Sequence, residues 1–427
     1  MFLENNIKNT NYYNYIFLII ISSFLLPRSL VYLGLPSLIN HFHYILIFFL
    51  FVFSFFLEKK NIIENKLLTL LFFFSLTIFI STLYNGTSFS NYTIYSFIIL
   101  QPFCLYIFLI KLNFSEKNLK YCKFILFFFS TINSVICYIQ YFLYGLRHDS
   151  VQGLLVNLGA GHHVAGSLST ITALYIFMLS KFNFLTKSVL IIFFTSVNFL
   201  TDSKQVVLSF LIVFLLFSFL KFILMKNFIY IIKSTLKYLF FLLFIYFIVV
   251  SFPYIFKGYF VKSFEEILIG LELKFNVFNY INFYFTNFFN YLFGLGPGSS
   301  TSRLAIMIPD YFDLPLFKFS FNELTNLVWI VQLENPITNP HTGSSLFSLF
   351  FFWGGLYGDI GLIGCIFYLY LWLILSKINH FDDISSFLII LVLFNGVIFN
   401  WPEEPAFVLF VVIILSIRYH QLKLIKN

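Results

Sequence analysis

Apolar runs of about twenty residues recur along the chain, each the length a helix needs to cross a hydrocarbon core of about 30 Å. They fall near 13–30, 41–57, 67–84, 93–112, 122–145, 163–181, 186–201, 205–225, 236–256, 345–376, 385–401 and 405–419. In lipid every backbone N–H and C=O must be satisfied inside the segment or within a closed barrel. The runs far exceed the ~10-residue strands of a membrane barrel, so about twelve transmembrane helices are expected. The expected fold is an all-α, polytopic membrane protein, with residues 1–427 as one integral membrane domain. Only 10% of the 427 residues are charged. That is too few to coat a water-soluble surface, where about 25% is usual.

Basic residues set the sidedness. Loops taken alternately hold Lys8, Lys59, Lys60, Lys66, Lys111, Lys117, Lys120, Lys123, Lys181, Lys187, Lys221, Lys226, Lys233, Lys237, Lys377, Arg418, Lys423 and Lys426 on one side. The other side holds Arg28, Arg147, Lys204, Lys257, Lys262, Lys274, Arg303 and Lys318. The positive-inside rule makes the richer side cytoplasmic, and an even number of spans places both termini there. The net charge of +8 then calls for no nucleic acid. The N-terminus lacks a basic n-region and an A-x-A site, so the first run is expected to stay as an anchor. Cys104, Cys122, Cys137 and Cys365 lie in or beside apolar runs, with neither metal-ligand spacing nor a disulfide pattern.

One connection breaks the meander. Residues 257–342 form a large outer loop between the ninth and tenth runs, and a loop that long is usually functional. Its aromatic and Asn-rich stretch over 275–293 reads as an amphipathic segment lying at the headgroup level.

Four polar clusters face outward on this topology. GAGHHVAGS (159–167) carries adjacent His162 and His163, which point apart on a helix and do not share a metal easily; Ala165 and Gly166 suit close packing. TDSKQ (201–205) sets Asp202 and Lys204 beside very apolar helices, where charges are costly and so are functional or paired; Lys204 snorkelling and pairing with Asp202 is the plainer alternative. GLGPGSSTSR (294–303) offers free backbone N–H groups to an anion, hydroxyls at Ser299 and Ser300, and the fork of Arg303; a simple turn would look the same. NPHTGSS (339–345) ends the large loop. There Thr342, Ser344 or Ser345 is expected to N-cap the tenth span, which would set His341 at a helix N-terminus, a ready phosphate site. Glu403 and Glu404 of NWPEEP also face outward, where a solvated loop is the plainer reading.

The tenth run contains WGGLYGDIGLIG (353–364). A helix over 345–376 would be about 48 Å long at 1.5 Å per residue. It must protrude, tilt or break near Gly354–Gly358, and Asp359 at membrane depth needs a partner.

In this order the clusters resemble the O-antigen ligase and polymerase family. TDSKQVVLSFL resembles the family's Ser-Arg turn and apolar helix, FGLGPGSS its glycine-rich lead into the periplasmic loop, and NPHTGSSLFSLF with DIGLIG its loop-ending histidine and Gly-x-x-Gly helix. GHHVAGSLSTITAL is a looser match. The resemblance covers residues 160–376. Lys204 stands where arginine is usual, Thr342 follows the histidine, the Gly-x-x-Gly comes late and no Thr-Tyr follows it. These departures favour a polymerase over a ligase.

The resemblance implies a membrane glycosyltransferase of the bacterial inner membrane with its active site facing the periplasm, acting in lipopolysaccharide or polysaccharide biosynthesis. Donor and acceptor are oligosaccharides on undecaprenyl pyrophosphate. The acceptor hydroxyl attacks the anomeric carbon and the lipid pyrophosphate leaves, without cofactor, nucleotide sugar or metal. Lys204 and Arg303 are the implied pyrophosphate contacts, and His341 the base or phosphate donor. Arg147, His162, His163, Ser299, Ser300, Glu403 and Glu404 are further substrate-binding candidates. A chain-length regulator and a flippase of the pathway are implied partners, besides membrane lipid. The alternatives are a ligase passing glycan to lipid A–core, and a polysaccharide transporter or flippase, against which no internal inverted repeat is seen.

Overall fold

The computed structural model describes residues 10–57, 62–156, 160–225, 264–311, 319–320, 322–339 and 345–426. Every regular element among them is helical: α1 (Thr10–Leu25), α2 (Pro27–Tyr32), α3 (Phe42–Ser54), α4 (Ile62–Asn85), α5 (Phe89–Lys111), α6 (Glu116–Phe142), α7 (Gly161–Leu179), α8 (Phe184–Leu200) and α9 (Lys204–Met225). There follow α10 (Phe264–Phe275), α11 (Val277–Tyr284), α12 (Phe288–Phe293), α13 (Arg303–Tyr311), α14 (Glu323–Glu334), α15 (Phe352–Ile378), α16 (Asp383–Ile398) and α17 (Pro405–Lys426).

Eight helices are long and apolar enough to cross a membrane: Ser37–Ser54, which ends in α3, then α4, α5, α6, α7, α9, α15 and α17. Three shorter ones, α1, α8 and α16, are also apolar. The ninth expected run, 236–256, lies outside the described residues.

Polar residues at the ends of the runs start the helices. Ser115 and Asn118 form a reciprocal capping box on α6, which satisfies two of the four orphan N–H groups of a helix start. Asn183 caps α8 through the Thr186 N–H. Asp382 caps α16 and also receives a two-pronged hydrogen bond from Arg418, at 2.9 and 2.6 Å.

The last helix is the centre of the bundle. From Ala406 to Leu415 every residue of α17 is buried, and it touches α1, α5, α6, α7 and α16. A helix apolar all round has no polar face to give to water, so it is enclosed. Outward-facing Phe72, Phe124, Phe219 and Ile366 stay exposed, as suits lipid contact. Small and hydroxyl residues join α6, α7 and α8. Ser134 and Ser169 lie 3.0 Å apart, Thr172 donates to Ser130 at 2.7 Å, and Asn198 donates to Thr170 at 2.6 Å. Gly166 sits on α7 where a Cβ would stand 2.6 Å from the Asn198 amide oxygen, so close packing does explain this part of GAGHHVAGS.

The expected outer loop is largely helical. Helices α10 to α14 all fall within 257–342. Val277, Ile281, Phe285, Leu324 and Val328 make a second small core with Leu349–Phe351. The 275–293 stretch is two helices with Val277 and Ile281 inward and Phe283 and Phe288 exposed.

Lys274 ties this cap to the bundle. It is buried, and its ammonium donates to the Leu346 carbonyl at 2.9 Å and the Ile398 carbonyl at 2.5 Å, above the Phe351 ring. Burial pushes its pKa down from 10.5 to about 7. The unfolded chain therefore binds more protons than the native one between those values, and stability rises with pH across that window. Thermal midpoints of wild type and Lys274→Met should accordingly diverge from pH 7 to pH 10, wild type gaining. Parallel curves would show that the ammonium is not desolvated.

Candidate functional site

Helix α15 does not begin at residues 342–345 as expected. It starts at Phe352, with Phe351 at the N-cap and no side-chain cap, and its first N–H is taken by the Phe399 carbonyl at 3.2 Å. That helix end is closed by protein rather than open to a phosphate. His341 lies outside the described residues.

The break in α15 falls at Gly361 (φ 68°, ψ −169°), not at Gly354–Gly358. A Cβ there would stand 2.4 Å from the carbonyl carbon of Leu292. The positive φ and the close approach each demand glycine. The backbone freed by the break is used by the 294–300 turn: Leu295 N–H bonds the Gly358 carbonyl at 2.7 Å and Gly296 N–H the Asp359 carbonyl at 3.0 Å.

The same turn holds the Asp359 side chain. Gly298 N–H donates to Oδ2 at 2.8 Å, Ser299 N–H to Oδ1 at 3.1 Å and Ser300 Oγ to Oδ1 at 2.6 Å. The glycine-rich stretch cradles an anion as its free N–H groups imply, but the anion is the chain's own carboxylate. Ser299 and Ser300 are buried and face Asp359. Their expected place on a substrate is thus corrected: the partner that completes them is internal.

Arg303 opens α13 and meets the loop between α16 and α17. Its backbone N–H donates to Glu403 Oε2 at 2.6 Å, its Nη1 to the Glu403 carbonyl at 3.2 Å, and its guanidinium pairs with Glu404. A carboxylate on the first N–H of a helix is where the dipole favours it. The solvated-loop reading of NWPEEP is overturned: Glu403 is fully buried and Glu404 only 12% exposed. Burial pushes the Glu403 carboxyl up to about 8, against the pull of the Arg303 N–H and charge. Its Oε1 has no hydrogen-bond partner among the described residues.

Lys204 opens α9 and pairs with Asp202 at 3.3 Å. Asp202, in the left-handed region (φ 52°), also bonds His148 Nδ1 at 3.2 Å. Ser203 donates to the His162 carbonyl at 2.8 Å, joining this turn to α7. His162 Nε2 lies 3.4 Å from Asp149. Against the expectation that the adjacent side chains point apart, its ring stands 3.8 Å from that of His163, which in turn lies 5.9 Å from the Trp401 ring. Trp401 opens the short turn that carries Glu403. A continuous chain of contacts therefore runs from Lys204 through His162, His163 and Trp401 to Glu403 and Arg303, joining segments 160–163, 201–204, 298–303 and 401–404.

Arg147 is not part of that chain. It folds back on the end of α6, donating to the Tyr141 and Leu146 carbonyls at 2.8 and 3.1 Å with its guanidinium over the Tyr141 ring. A basic side chain on the last carbonyls of a helix is a C-terminal cap.

The structure adds residues that the pattern alone did not single out. His148 and Asp149 pair with Asp202 and His162. Arg28, His41, His43 and Tyr44 line one cavity with Arg303 and Glu404. Their signal in the sequence is the HFHY stretch at the mouth of the second apolar run. No family model, no curated protein and no solved structure matches the chain.

Proposed function

We propose that the protein is a repeat-unit polymerase. It joins undecaprenyl-pyrophosphate-linked oligosaccharides at the periplasmic face of the bacterial inner membrane, with both termini cytoplasmic. The observation that carries the reading is the contact chain that links Lys204, the His162–His163 pair and Arg303 at one pole of an apolar helix bundle. A cation beside a lipid phase suits a lipid pyrophosphate, because charge that builds on the leaving group is offset by a fixed charge in a poorly solvated site.

In this reading Arg303 and Lys204 hold the donor's pyrophosphate. The acceptor hydroxyl attacks the anomeric carbon, the C–O bond to the pyrophosphate breaks, and the hydroxyl proton passes to a nearby base. His341 is the first choice for that base. Glu403 is a second, because burial pushes its carboxyl up to about 8, so that once ionised it takes a proton more readily than an ordinary carboxylate. The exposed aromatic residues of α11 and α12, Phe283 and Phe288 among them, offer faces on which sugar rings stack. Chain-length regulator and flippase are the expected pathway partners.

A chromosomal deletion, complemented with wild type or His341→Ala, tests this. The deletion should leave surface glycan at one repeat, wild type should restore the ladder, and His341→Ala should not. Loss of all capped core in the deletion would point to the ligase instead. Unchanged long chains in the deletion would remove the reading altogether.

A further inference from the structure

Two rings on α15 lie too close together for a straight helix. Phe352 and Tyr368 are 16 positions apart, about 24 Å in a straight helix at 1.5 Å per residue. Their ring centroids stand 4.7 Å apart. The helix therefore folds back on itself at Gly361, where φ is 68°. Its first arm, 352–360, packs against its second, 362–378, and the second faces α5.

The facing sides of α5 and this second arm carry a row of polar groups. Tyr95 and Tyr106 are eleven residues apart on α5, and so are Tyr368 and Asn379 at α15. Eleven residues make about three turns, so each pair shares one helix face. The Asn379 amide donates to the Tyr106 hydroxyl at 2.8 Å. The Phe103 ring packs on both Tyr368 and Trp372, at 5.7 and 5.3 Å. At the cap pole, Asp359, Glu403 and Tyr368 each lie close enough to Tyr95 to act on it electrostatically. Tyr95, Tyr368, Trp372, Asn379 and Glu403 are all fully buried. Among the described residues, the Tyr95 and Tyr368 hydroxyls, the Trp372 indole N–H, Asn379 Oδ1 and Glu403 Oε1 make no well-formed hydrogen bond, although the Trp372 indole lies beside the Tyr368 hydroxyl. Each such group costs free energy unless something completes it. Packing alone does not call for them, since phenylalanine fills the space of a tyrosine without that cost. Polar side chains kept inside a membrane bundle mark ion and proton paths. Glu403 is the titratable head of the row. Around it stand Arg303, whose N–H it accepts, Glu404 next in the chain, Asp359, Tyr95 and Tyr368.

We propose that this row is a proton relay through the bundle. Protons pass between Glu403 at the cap pole and the Tyr106–Asn379 pair at the opposite pole, by way of the Tyr95 and Tyr368 hydroxyls and internal waters that complete the orphaned groups. Each hydroxyl takes a proton on a lone pair and gives up the one it held, so a proton crosses with no net change in the side chains. The Trp372 indole only donates, so it anchors a water rather than passing a proton. The longest step, from Trp372 to Asn379, is about 10 Å along the helix, which about three waters cover at hydrogen-bond spacing. The relay goes beyond the polymerase reading and does not depend on it.

The test uses purified full-length protein in liposomes loaded with a pH-sensitive dye. A potassium gradient with valinomycin sets the potential that drives protons inward. Wild type should acidify the interior faster than protein-free vesicles do. Glu403→Gln and Tyr368→Phe should each lower the protein-dependent rate about tenfold, because each removes one hydrogen-bonded step. Tyr370→Phe, on the exposed side of the same arm, should leave the rate unchanged. Size-exclusion profiles show that each variant is folded, and Tyr95→Phe takes the place of either relay variant that is not. Thermal midpoints give a second reading. A hydroxyl that water completes does not destabilise the protein, so Tyr368→Phe should not raise the midpoint. Wild-type rates equal to those of protein-free vesicles, rates unchanged in both relay variants, or a raised midpoint in Tyr368→Phe would overturn the relay.

Discussion

Asp359→Ala should nearly abolish recovery of folded protein. The substitution removes the acceptor for the Gly298 and Ser299 N–H groups and the Ser300 hydroxyl, all buried in a part of the molecule that water does not reach. Each buried donor left unsatisfied costs about 1–3 kcal/mol, so the three together cost roughly 3–9 kcal/mol against a typical total of about 5–15. The effect reaches further than the cradle. Three residues after Ser300 the chain arrives at Arg303, so the carboxylate also fixes where that cation sits. Asp359→Asn keeps one acceptor oxygen but turns an NH2 toward N–H donors, and should fall between wild type and Ala in both yield and thermal midpoint. Ser300→Ala, which removes one of the three bonds, should cost about 1 kcal/mol. Fluorescence-detected size exclusion and thermal midpoints in detergent give the order. An Asp359→Ala protein with wild-type yield and midpoint would mean that the cradle is dispensable.

The helices were legible because lipid leaves a long apolar run no other way to satisfy its backbone. The places where the reading slipped share a cause: a partner distant in sequence decided the outcome. The run from Leu346 to Trp353 is as apolar as a helix interior, yet α15 starts only at Phe352. Before that point the Leu349 N–H and the Ser348 hydroxyl are held by the Gln332 side chain at 2.8 and 3.2 Å, an alternative no hydropathy count registers. Five glycines between 354 and 364 made a break expected, but which one breaks depends on the Leu292 backbone lying against Gly361. The GLGPGSS pattern left an anion cradle and a simple turn open, and Asp359 at membrane depth called for a partner; that each answers the other is not visible from either alone. Glu403 looked solvated because the residue that buries it, Arg303, lies a hundred positions earlier.

Lys204 illustrates the limit in the other direction. Its pairing with Asp202 was the plainer of the two alternatives and does occur, but a pair that is about a third exposed contributes little to stability. Arg303 is different. Its partner Glu404 is at least as buried as it is, and a buried pair holds because each charge is costly without the other.

That contrast sets up the larger functional effect. Arg303→Ala should eliminate detectable polymer, a fall of at least ~100-fold of the kind seen when a preorganised charge stabiliser is removed. On its own this result would be ambiguous, because Glu404 would then be buried without its counter-charge, at a cost of about 3–5 kcal/mol. Adding Glu404→Ala to Arg303→Ala removes the stranded carboxylate and should restore most of the lost thermal midpoint. On the polymerase we propose, it should restore none of the glycan ladder, since the guanidinium assigned to the pyrophosphate is still missing. Arg303→Lys keeps the charge and loses the fork, so it should fold and leave a short, sparse ladder. A double variant that regains both stability and normal chain length would reduce Arg303 to a structural partner of Glu404. A double variant that regains stability alone places the cation at the reaction.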